Sequence, residues 1–150
     1  MLKDRISEDL KRAMKAGDKI RVETLRTLRA ALIEKEIEKR GSGSGMDPED
    51  ELGVLATAVK KRRESIEHFE KAGRAELVAQ EGSEIEIIQE YLPEQLSETE
   101  VLAVIEEIVS STGADTIADF GKVMPLVMKQ LKGKADGRRI QELVRSRLGA

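Results

Sequence analysis

The side chains able to do chemistry are few and unevenly placed. Glu64 and His68 stand four apart and would share one face of a helix. A metal or acid–base role there needs further ligands or a nucleophile held nearby, and the sequence specifies neither. Ser65 and His68 have the types of a nucleophile and its base, but no orienting acid or oxyanion donor can be placed with them. Gly41-Ser42-Gly43-Ser44-Gly45 contains Gly-x-Gly, yet no strand precedes it and no Lys-Ser/Thr follows. It reads as a flexible connector rather than a phosphate loop. Carboxylates are abundant on what would be helix surfaces, and no two stand out as a general acid and base. These residues point to no catalytic site, no cofactor and no metal.

Composition narrows the classes further. The chain has 150 residues, with 26 Lys+Arg against 29 Asp+Glu, so it is highly charged with a net of only −3. Phe69, Tyr91 and Phe120 are its three aromatics, too few for a base-stacking platform. The absence of cysteine excludes disulfides, zinc knuckles, iron–sulfur clusters and a thiol nucleophile. The longest unbroken apolar run, Val101 to Ile105, falls far short of a membrane span. Lys3, Asp4, Arg5, Glu8 and Asp9 near the start match neither a signal peptide nor an acid-poor transit peptide, so a cytoplasmic protein without membrane contact is expected.

Basic residues carry the remaining chemistry. Lys60-Lys61-Arg62-Arg63 is a run that can grip phosphate, or a solvated face paired with Glu64 and Glu67. Local net charge is +4 over residues 1–46, −6 over 47–92, −7 over 93–120 and +6 over 121–150. In that last block Gly133 and Gly137 flank Lys134-Ala135-Asp136, where glycine allows positive φ or close approach to a partner. A helix starting at Asp136-Gly137 would aim free N–H groups outward, as phosphate sites do. The candidate nucleic-acid contacts are Lys122, Lys129, Lys132, Gly133, Lys134, Gly137, Arg138, Arg139 and Arg145, with Arg147 completing the basic block. The alternative, equally open, is a plain helix–turn–helix whose cations pair with the acidic 93–120 segment.

The elements that must position these residues are all helical. Apolar residues recur every three to four positions, with no strand pattern and no internal repeat. A first helix carries Leu2, Ile6, Leu10 and Ala13/Met14 up to Gly17-Asp18. A second carries Val22, Leu25, Leu28, Leu32, Ile33 and Ile37. A third starts at Asp47-Pro48, with Asp47 as cap and acids in its first turn, and runs to Ala72-Gly73. Arg62 and Arg63 fall where its apolar stripe should continue, so the stems snorkel or the stripe is interrupted. A fourth carries Leu77/Val78, Ile85, Ile88 and Tyr91/Leu92. Pro93 marks a boundary, and Ser97-x-x-Glu100 spells a reciprocal capping box. Three shorter helices follow: one ending at Gly113, one from near Asp119 with Pro125 as a possible kink, and one from near Asp136. The expected architecture is all-α with two helical domains, residues 1–92 and 93–150.

Phe120-Gly121-Lys122-Val123-Met124, then Lys132-Gly133-Lys134-Ala135-Asp136-Gly137 and a Leu/Val/Arg helix, resemble the GatB/YqeY tail. The likeness to free-standing YqeY-like proteins extends over Ala13-Met14-Lys15-Ala16, Thr24-Leu25-Arg26, Val59-Lys60-Lys61-Arg62, Ala72-Gly73-Arg74 and Tyr91-Leu92-Pro93-Glu94-Gln95-Leu96. Pro125 departs from the pattern, which more often has a small residue there. The resemblance implies a larger N-terminal helical domain and a three-helix C-terminal one. It implies tRNA handling, with tRNA, amidotransferase components or an aminoacyl-tRNA synthetase as partners. It also brings a family label, carbon–nitrogen ligase with glutamine as amido donor, for which this chain has no catalytic residue to inherit. The expected function is therefore a non-catalytic tRNA-binding or amidotransferase-associated protein. The alternatives are a helical protein–protein adaptor and, last, a ligase acting alone.

Overall fold

A computed structural model describes residues 1–149. The described residues form seven α-helices and one short 3-10 turn, with no strand. They fall into two compact units, Met1–Leu92 and the residues from Pro93 onward.

The first unit holds α1 (Leu2–Ala16), α2 (Lys19–Gly41), α3 (Pro48–Lys71) and α4 (Ala75–Gln89). Its core joins Ile6, Leu25, Leu28, Leu32, Leu55, Val59, Ile85 and Ile88. Local chemistry sets the helix ends. Asp18 caps α2 by accepting from the Arg21 N–H at 3.1 Å. At α3, Asp47 accepts from the Asp50 N–H at 2.8 Å, and Asp50 accepts from the Asp47 N–H at 3.0 Å. With Pro48 at the first position, three orphan-donor problems are solved in four residues.

Three expectations for this unit need correcting. Met14 and Ile37 were placed on buried stripes, yet they are 53% and 62% exposed, because no other helix of the unit covers those faces. α4 ends at Gln89, so Tyr91 and Leu92 sit in the turn after it, where Pro93 disfavours helical geometry for its predecessor. Arg62 turns inward, its side chain only 13% exposed, and its ion-pair partner is Glu84 of α4 rather than Glu64 or Glu67.

The second unit holds α5 (Glu98–Thr112), the 3-10 turn Ile117–Asp119, α6 (Phe120–Leu131) and α7 (Gly137–Arg147). Its core is Val101, Ile105, Ile108, Val109, Val123, Val127, Leu131, Ile140, Leu143, Val144 and Leu148. Ser97 accepts from the Glu100 N–H at 3.2 Å, but the reciprocal half of the expected box is not formed. Gly113 ends α5 at φ 70°, as a left-handed C-terminal residue must. Pro125 lies well inside α6 and is exposed. The helix continues past it with one fewer N–H, leaving the Gly121 carbonyl without its i+4 donor.

Candidate nucleic-acid interface

α6 and α7 run in opposite directions, joined by residues 132–136. The predicted contacts therefore divide between the two ends of this hairpin. Lys129, Lys132, Gly133, Lys134, Gly137, Arg138 and Arg139 gather at the turn. Lys122 lies in the first turn of α6 and Arg145 near the end of α7, at the opposite end. Seven residues of helix separate Lys122 from Lys129, a rise of about 10 Å.

The turn is built from three local devices. Gly133 adopts φ 78°, the left-handed region where a side chain is strained. The Lys134 N–H donates to the Leu131 carbonyl at 2.9 Å and closes the turn. Asp136 caps α7 by accepting from the Arg138 N–H at 3.3 Å. That carboxylate sits where an incoming phosphate would meet the helix start, so the N–H groups of α7 are less open to an anion than the sequence implied.

The cations differ in what they already hold. Arg139 binds Glu98 through Nε at 3.3 Å and Nη2 at 2.8 Å, and reaches Glu142 at 3.0 Å. Arg147 binds Glu106 through Nε at 2.6 Å and Nη2 at 2.9 Å. These are forked, charge-assisted contacts. They hold the Glu106 carboxyl below the usual carboxylate range and raise both guanidinium groups further. The acidic segment thus takes up two members of the basic block. Arg145 lies over the Phe120 ring at 5.1 Å. Lys122 reaches the Thr112 carbonyl at 3.4 Å, at the end of α5. Lys129 is exposed and Lys134 half-buried, and neither makes an ion pair among the described residues.

Sequence reasoning missed a polar cluster in the first unit. Arg62 Nε stands 3.9 Å from Glu84, and both side chains are largely buried. The guanidinium donates to the Ala58 carbonyl at 3.0 Å, but its Nε, too far from Glu84 to hydrogen-bond, has no hydrogen-bond acceptor. Burial pushes the Glu84 carboxyl up. Arg62 opposes the shift, while Glu81 and Glu23 add to it. Thr24, fully buried, also leaves its hydroxyl unpaired. The only sequence signal was Arg at a position owed to the apolar stripe. Nearby, Tyr91 donates to Asp9, and Arg5 lies 4.7 Å over the Tyr91 ring.

Ser65 donates to the Lys61 carbonyl of its own helix at 3.1 Å, so its hydroxyl faces its backbone rather than His68. Among the described residues, no group of three or more His, Asp or Glu is arranged to hold a metal ion.

Residues 3–148 match the family model of the Yqey-like protein. The chain belongs to the YqeY-like family. Its relatives include the "Altered inheritance of mitochondria protein 41, mitochondrial" of Lachancea thermotolerans, 36% identical over 107 residues, covering 70% of this chain and 56% of the relative. The protein of the same name from Kluyveromyces lactis is 30% identical over 132 residues, covering 87% and 67%. That from Eremothecium gossypii is 38% identical over 90 residues, covering 58% and 46%. The YqeY-like chain thus spans about half to two thirds of the length of these relatives. The expected cytoplasmic location is overturned by them, since all three are named as mitochondrial proteins. The acidic start of a chain does not by itself assign a compartment.

Proposed function

We propose that this YqeY-like chain is a non-catalytic RNA-binding module for tRNA, which it holds by backbone and shape. The observation that carries the reading is the state of the cations in the second unit. Two arginines of the basic block are consumed by Glu98 and Glu106, yet Lys129 and Lys134 still flank a glycine turn with no carboxylate partner. Lys122 lies at the other end of the same hairpin, where it reaches the Thr112 carbonyl and feels the nearby Asp119 carboxylate. Cations spaced along one hairpin suit successive phosphates. Gly133 itself is buried, so it shapes the turn and the lysines beside it make the contact. Three aromatics in the whole chain leave base stacking no role, so contacts to phosphate and the 2′-hydroxyl carry recognition.

The chemistry of amidation is assigned to partners, an amidotransferase or a tRNA synthetase, to which this module would bring or hold tRNA. A competition assay tests the RNA reading: full chain on labelled tRNA, challenged with unlabelled tRNA or with duplex DNA of equal phosphate content. Displacement by tRNA well before DNA is expected. Equal displacement would reduce the reading to non-specific polyanion binding.

A further inference from the structure

The segment that opens the second unit is fastened to the α6–α7 turn. The Gln95 side-chain amide donates to the Gly133 carbonyl at 2.7 Å and to the Pro93 carbonyl at 3.0 Å. One residue on, the Leu96 N–H donates to the Lys134 carbonyl at 2.8 Å. Leu96 packs against the core of the unit, which anchors the strap. Two consecutive carbonyls of the turn are therefore turned toward residues 95 and 96.

This matters for what the turn offers outward. A carbonyl oxygen repels a phosphate oxygen, and apart from the strap only the Lys134 N–H bond to the Leu131 carbonyl fixes the peptide plane that carries the Gly133 carbonyl. With the Gly133 and Lys134 carbonyls held by the strap, the turn keeps two acceptors away from an approaching anion. The half-buried Lys132 and Lys134 stand on either side of the clasped glycine. We propose that Gln95 is a positioning residue for the RNA contact: its amide clasps the turn so that an anion meets cations and not carbonyls. The proposal rests on the RNA reading above for its functional half, and its structural half stands apart from it. Both Gln95 bonds use the two N–H donors of one amide, so leucine, similar in size, removes them without opening a large hole.

The test uses the full chain as wild type and as Gln95→Leu, with Gln130→Leu on the exposed face of α6 as control. Amide hydrogen exchange is followed at residues 132–137 and in the core at Ile105 and Val144. tRNA affinity is measured across a salt series. In Gln95→Leu the turn amides are expected to exchange about fivefold faster or more, the loss of roughly one hydrogen bond, with core amides unchanged. tRNA affinity falls about three- to fivefold at every salt concentration, and the log–log salt slope is kept because every cation remains. Unchanged exchange at the turn overturns the clasp whether or not RNA binds. Faster exchange with unchanged affinity overturns the positioning role, and so does a shallower salt slope. If the wild type binds no tRNA, the RNA reading fails, the positioning role falls with it, and exchange alone decides the clasp.

Discussion

Arg139 of α7 grips Glu98 at the start of α5 with two nitrogens, at 3.3 and 2.8 Å. Eight residues further along each helix, Arg147 grips Glu106 in the same forked way. Eight residues of helix rise about 12 Å, so the two bridges show α5 and α7 running side by side in the same direction. They also engage two cations of the basic block.

Releasing those arginines has a readable effect. Glu98→Gln and Glu106→Gln remove the forked partners of Arg139 and Arg147, leaving Arg139 only its contact with Glu142, while keeping the exposed helix surfaces similar in shape. In the double variant, tRNA binding is expected to tighten at low salt. Its log–log salt slope should steepen by about one unit per arginine recruited. A slope identical to that of the wild type would show that these arginines do not face the ligand.

The Glu84 carboxyl gives a signed pH dependence. Burial beside Glu81 and Glu23 raises its pKa above the unfolded value, despite Arg62. Such an acid favours folding at low pH, and that contribution is lost as pH rises through the raised folded value. Glu84→Gln has no such loss. Thermal melts from about pH 4 to about pH 8 should show the variant gaining on the wild type as pH increases. A constant difference, or one that narrows, would contradict the assignment.

Gly133 tests the turn itself. At φ 78° a methyl side chain is strained, so Gly133→Ala should destabilise the second unit by about 1 kcal/mol, read by urea titration. No loss of stability would mean that the turn relaxes into another conformation.

Pro125 makes the opposite prediction. It is exposed and inside α6, and alanine there restores a helix N–H facing the Gly121 carbonyl. Pro125→Ala should stabilise the unit, by up to about 3 kcal/mol. A neutral or destabilising outcome would show that the surrounding helices have adapted to the bend.

What was legible in the sequence was what short stretches decide. Asp47-Pro48, Gly113 and Asp136 mark helix ends through bonds made within four residues, and the structure places them at those ends. That the chain is helical throughout was legible for the same reason: helical spacing is local. The misses depend on residues far away in the chain. Arg62 is inward because Glu84 waits on α4, 22 positions later. Whether Arg139 was free depended on Glu98, 41 positions earlier. Gln95 carried no chemical signal at all, since its role exists only once the Gly133 carbonyl is brought to it. The compartment failed for a different reason: composition near one chain start says little about where a protein works.

The central claim is that Lys122, Lys129 and Lys134 carry RNA, and one measurement addresses it most directly. Filter binding of tRNA to the full chain is followed across a salt series beginning at about 50 mM, for the wild type and for Lys122→Gln/Lys129→Gln/Lys134→Gln. The account predicts salt-dependent binding by the wild type and a log–log slope shallower by about two units in the triple variant. Absence of wild-type binding at the lowest salt, or the same slope in both proteins, would contradict it.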